Sequence, residues 1–72
     1  MVPLWFEAWI DEASVEYFLI LRANRDGTFA IVDPREKDKV VETFVEEREA
    51  RVWLNQEGFA RIESRYEPIL KR

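Results

Sequence analysis

Proton transfer, nucleophilic attack and metal binding draw on a short menu of side chains, and this sequence lacks two of its commonest members, having no histidine and no cysteine. Fifteen carboxylates remain, but none falls at a position expected to be deeply buried, where a general acid or base acquires a shifted pKa. The serines and threonines have no base that the sequence places beside them. The two glycines, Gly27 and Gly58, both sit in turns, so no glycine-rich loop cradles a phosphate. Asp33, Glu36 and Asp38 offer oxygen ligands to a hard cation. That stretch nevertheless lacks the glycine and closing glutamate of a calcium loop, and Arg35, Lys37 and Lys39 would oppose the ion. No catalytic, cofactor-binding or metal-ligating residue is therefore expected, and the chain does not read as an enzyme.

Binding chemistry is better represented. A nucleic-acid surface needs a basic track with stacking aromatics, whereas Arg48, Arg51, Arg61, Arg65, Lys71 and Arg72 alternate with Glu47, Glu49, Glu57, Glu63 and Glu67, which reads as a salt-bridged surface. The net charge of −4 is concentrated at the start. Glu7, Asp11, Glu12 and Glu16 have no base among them up to residue 16, and the rest of the chain balances eleven acids against eleven bases. With Trp5 and Trp9 as aromatic anchors, Glu7, Asp11, Glu12 and Glu16 form a candidate partner-binding segment: charge speeds encounter and buried tryptophan holds the complex.

The elements that must position these residues begin with Val40 to Ile62, read as strand, helix and strand. Ala50, Trp53 and Leu54 share one side of a 3.6-residue repeat, and Glu46, Glu47 and Glu49 suit the electropositive first turn. Glu47 stands four residues before Arg51, a spacing that adds an ion pair along the helix. The helix is expected over Glu46 to Glu57, with Thr43 as the nearest capping residue and Gly58 as its stop. Phe59 is expected to fold back onto Leu54.

Residues 4–10 read as a strand in preference to a helix, since a helix would be apolar around most of its circumference. Strand alternation separates Leu4, Phe6, Ala8 and Ile10 from Trp5, Glu7, Trp9 and Asp11. Tyr17 to Ala23 is apolar on both faces and should be central. Asn24 to Thr28 is a hairpin turn built on Asp26-Gly27, and Asp33-Pro34 ends the return strand before a solvated loop to Lys39. The last strand is expected to run to Arg65 and to end before Pro68, leaving Ile69 to Arg72 as a frayed or surface tail.

Seventy-two residues form a single α+β domain. The expected sheet is largely antiparallel, with four or five strands near 4–10, 16–23, 28–33, 40–44 and 59–65, and one helix packed on one face. The helix should join two strands running in the same direction. The expected core is Phe18 or Leu19, Ile20, Leu21, Ile31, Val41, Phe44, Ala50, Trp53, Leu54, Phe59 and Ile62. The start carries no secretory signal and no run approaches spanning length, so a soluble cytoplasmic protein is expected. The order of hairpin, helix and strand is similar to that of small phage proteins that inhibit host RNA polymerase, a likeness of element order that carries no residue motif.

A domain of this size buries only about 60% of the surface its unfolded chain exposes. With no disulfide or zinc site to reinforce it, packing or oligomerisation must do so. The expected function is a non-enzymatic interaction module that associates with itself, as a homodimer, through the sheet face opposite the helix. The alternative is an acidic regulatory or inhibitory protein that docks on a basic site of another protein.

Overall fold

The computed structural model describes residues 3–62 and Arg65. Five strands, β1 (Trp5–Asp11), β2 (Ser14–Ala23), β3 (Phe29–Asp33), β4 (Lys39–Phe44) and β5 (Phe59–Arg61), frame one helix, α1 (Glu47–Gln56). They form one sheet in the order β4-β3-β2-β1-β5, with every neighbouring pair antiparallel. The α+β class, the sheet, the single helix and the central place of β2 all agree with the sequence reading. β4 and β5 do run the same way, but they lie at opposite edges, so α1 carries the chain across the sheet instead of joining neighbours. β5 stops at Arg61, and neither Ile62 nor Arg65 is strand, so the last strand is shorter than the expected 59–65; residues 63 and 64, the end at Pro68 and the tail lie outside the described residues.

Local chemistry accounts for the connections. In the β2–β3 turn, Asn24 N–H donates to the Thr28 carbonyl, Gly27 takes φ 94°, and the Asp26 carboxylate accepts from both the backbone N–H and hydroxyl of Thr28. Those hydrogen bonds hold the Asp26 carboxyl below its ordinary pKa. The stretch after β3 is not wholly irregular. The Asp33 carboxylate accepts from Arg35 N–H at 3.0 Å and caps a single 3-10 turn, Pro34–Glu36, after which Lys37 and Asp38 both take positive φ. Asp33 is buried in this role, and among the described residues it forms no metal-holding group with Glu36 and Asp38.

α1 begins after Glu46 without a side-chain cap, so Thr43 does not serve as one; it lies inside β4. At the other end Gly58, at φ 89°, donates its N–H to the Asn55 carbonyl, one of the bonds of a Schellman ending. Ala50 and Leu54 enter a buried cluster with Trp9, Leu19, Leu21, Ile31 and Phe59, and Trp5, Tyr17, Phe29, Phe44 and Trp53 pack around it half-buried.

Three expected core residues are corrected. Val41 is 37% exposed because the β3–β4 register shifts between Ile31 and Val32, pairing Ile31 with Glu42 and Val32 with Val40 and leaving Val41 without a partner. Ile62, 48% exposed, lies just past β5 at the sheet edge. Ile20 is half-buried because it faces away from α1. Trp9, Ala23, Ala30 and Val32 are buried instead, beyond those expected.

Candidate functional site

The two faces of β1 decide where chemistry can happen. The register sets Trp5 opposite Ala23, Glu7 opposite Leu21 and Trp9 opposite Leu19, and these belong to the face that α1 covers. The set carrying the candidate partner-binding residues is thus turned inward. Glu7 is 1% exposed and Trp9 4%. Neither is available to a partner, which corrects the reading of Trp5, Glu7, Trp9 and Asp11 as one outward surface. Trp5 is half-buried against Phe29, with ring centroids 6.0 Å apart. Asp11 accepts from Ala13 N–H at 2.8 Å in the β1–β2 turn, while Glu12 and Glu16 are exposed. The structure does not gather the six residues into one surface.

A charge buried at Glu7 would be costly alone, and the fold supplies it with three cations. Arg51 of α1 donates from Nη2 to Glu7 Oε2 at 2.8 Å, Arg61 of β5 from Nη1 at 3.2 Å, and Arg65 from Nε at 3.2 Å, while Trp9 Nε1 donates to Oε1 at 3.3 Å. Glu47 joins by accepting from Arg51 and Arg65, at 2.9 and 3.0 Å. The guanidinium of Arg65 also lies 3.8 Å from the Trp5 ring centre, a cation–π contact. Burial alone would raise the Glu7 pKa. The hydrogen bond and charge of Arg51, with hydrogen bonds from Arg65 and Trp9, outweigh it and hold the carboxyl below its ordinary value. A carboxylate so held stays ionised and is not poised to donate or accept a proton near neutral pH.

Sequence reasoning missed this cluster, although it noted the i, i+4 pair of Glu47 and Arg51, which is present at 2.9 Å. The available signal was the acid between two tryptophans on an alternating strand: Glu7 shares their face, and whatever covers the tryptophans must also answer the charge.

The opposite face carries the other set. Ile10 pairs with Phe18 and Ala60, Ala8 with Ile20, and Ile20 in turn with Val32, a row of apolar side chains across β5, β1, β2 and β3 that is half-buried except at Val32, which is buried. No described helix packs there, since α1 lies with the cluster on the other side. Phe6, Ile20, Arg22, Val32 and Asp38 line a hollow of about 280 Å³ on this face. Along the regularly paired part of β2 this face carries Phe18, Ile20 and Arg22, and the pairing with β1 shifts between Ser14 and Phe18. Arg22 donates from Nε to Asn24 at 2.9 Å. Among the described residues neither Arg22 nor Glu16 has an ion-pair partner.

The described residues define a small α+β domain whose sheet is covered on one face by α1. Comparison with protein-family models, with curated proteins and with solved structures finds no match. Among the described residues no helix is long and apolar enough to cross a membrane.

Proposed function

We propose that the protein is a non-enzymatic interaction module that binds a second copy of itself through the sheet face opposite α1. The observation that carries this reading is the row of Ile10, Phe18 and Ile20 with Ala8 and Ala60, half-buried apolar side chains on the face opposite α1. An apolar row that stays partly accessible to water gains by being covered, and a second copy of the same face is one way to cover it.

Edge-to-edge association is less suited to this sheet. β5 has only three residues, and β4 is interrupted by a bulge and carries Lys39 and Glu42. Short strands, bulges and charges are the features by which sheet edges resist pairing. Docking through the acidic N-terminal segment is also less favoured, because Glu7 and Trp9 are enclosed. Catalysis has no support from the described carboxylates: Glu7 is fixed by arginines and Asp33 by a turn.

Sedimentation velocity across micromolar to millimolar concentrations tests the reading. The wild type should pass from monomer to dimer as concentration rises. Ile20→Lys keeps an apolar stem on the sheet but sets like charges face to face, and should raise the dissociation constant by a factor of at least about ten. A wild-type protein that stays monomeric throughout would remove the proposal.

A further inference from the structure

The hollow opposite α1 holds two charges that do not meet. Phe6, Ile20 and Val32 form its apolar part, and Arg22 and Asp38 complete the lining without an ion pair between them. The sheet register separates the two. Arg22 pairs with Phe6 and Ala30, while Ile20 and Val32 pair one row further along, roughly 6.6 Å away. Asp38 comes beyond that row, two residues before Val40, the partner of Val32. A base and an acid thus stand on either side of an apolar row. Arg22 is positioned by a chain of hydrogen bonds rooted in the β2–β3 turn: its Nε donates to Asn24 Oδ1 at 2.9 Å, Asn24 Nδ2 to the Thr28 hydroxyl at 3.0 Å, and that hydroxyl to Asp26 at 2.7 Å. These bonds use Nε alone, and among the described residues the two Nη groups have no partner. The Asp38 carboxylate has none either, although Lys37 and Asp38 hold consecutive left-handed backbone, at φ 61° and 62°, which residues with a side chain adopt only at a cost.

We propose that this hollow binds a small zwitterion whose carboxylate and ammonium stand at opposite ends of a short apolar body, the carboxylate on the Nη groups of Arg22 and the ammonium on the carboxylate of Asp38. A guanidinium with both terminal nitrogens uncommitted matches a carboxylate in two-point geometry. Phe6, Ile20 and Val32 cover the apolar body between the charges. A plain carboxylate would be repelled by Asp38 and a plain amine by Arg22, so charge complementarity selects the molecule that carries both groups. Drug-sized ligands occupy about 300 to 1,000 Å³, and a hollow of about 280 Å³ suits a smaller one. The site goes beyond the proposed self-association and does not rest on it.

Three probes of similar length, 6-aminohexanoate, hexanoate and hexylamine, separate the two charges. They are titrated into the full chain at low micromolar concentration, where the monomer should prevail, and followed by NMR. 6-Aminohexanoate should bind saturably, in the millimolar range or tighter, with shifts at Ile20, Arg22, Val32 and Asp38. Hexylamine, which lacks the carboxylate, should bind about tenfold more weakly, and hexanoate, which lacks the ammonium, about threefold more weakly, because Arg22 is half-buried and Asp38 exposed. Arg22→Gln should weaken 6-aminohexanoate about tenfold. Asp38→Asn removes the charge while keeping a residue that tolerates left-handed backbone. It should bring the constants of hexanoate and 6-aminohexanoate together, a change that loss of folding would not produce. The three probes on the wild type give an independent reading should either variant prove unstable. No saturable shift up to about 50 mM, shifts confined to α1, or hexanoate binding the wild type as tightly as 6-aminohexanoate would overturn the proposal. Sedimentation tests self-association separately, so the failure of one reading is distinguishable from the failure of the other.

Discussion

A carboxylate taken out of water between two tryptophans costs several kcal/mol unless cations follow it inside, and Glu7 obtains them from three places in the chain. Arg51 comes from the helix, Arg61 from the edge strand and Arg65 from beyond it, all within 3.2 Å of one oxygen. The cluster therefore ties the helix to the sheet as well as neutralising a charge. Because the arginines are partly exposed, Arg61 at 46% of its side chain, they can recover water when the carboxylate is removed, and the loss is smaller than for a fully enclosed pair. Glu7→Gln should reduce the free energy of unfolding by roughly 1 to 3 kcal/mol, read by urea denaturation at neutral pH.

The pH dependence follows from the same contacts. The folded pKa of Glu7 lies below its unfolded value, so its contribution is fully present above the ordinary carboxylate range and is lost as pH falls through the depressed folded value. Wild type should lose stability below about pH 4.3 more steeply than Glu7→Gln. Equal slopes would mean that Glu7 is not ionised in the fold. The parity of β1 was legible in the sequence, but not which set faces the helix. Apolar count favours Leu4, Phe6, Ala8 and Ile10, and only the arginines brought in from residues 51, 61 and 65 make the Trp5-Glu7-Trp9 set an acceptable interior.

At the level of elements, α1 is held by the side that reaches the sheet. Leu54 is fully buried in the common cluster, whereas Val52, two positions before it, is 45% exposed. Leu54→Ala should cost about 2 to 5 kcal/mol, a large share of what so small a domain has, while Val52→Ala should stay within about 0.5 kcal/mol. Thermal denaturation that ranks the two in the reverse order would misplace the helix. The helix was legible because its apolar spacing, acidic first turn and Gly58 agree, and the β2–β3 hairpin because Asp26-Gly27 admits few other conformations. Val41 and Ile62 were misread for reasons outside their own segments. A bulge opposite Ile31 unpairs Val41, and the edge position of β5 leaves Ile62 uncovered; both depend on pairings made far along the chain. The cap of the 3-10 turn by Asp33 was hidden within a stretch that composition alone marks as solvated.

On the scale of the whole molecule, one helix can shield only one face of a five-stranded sheet, and the sequence already implied the imbalance by making Tyr17 to Ala23 apolar on both sides. The fold resolves it by placing tryptophans and the charged cluster under α1 and leaving Ile10, Phe18 and Ile20 on the far side. Self-association is the proposed use of that face. Backbone and methyl resonances followed by NMR over a dilution series test both the face and its use in one measurement. On going from high to low concentration, shifts should move together along one binding curve and cluster at Ile10, Phe18, Ile20 and Arg22, while Val52 and Glu47 on the helix side stay still. Resonances that do not move with concentration, or that move on α1 instead, would contradict the account.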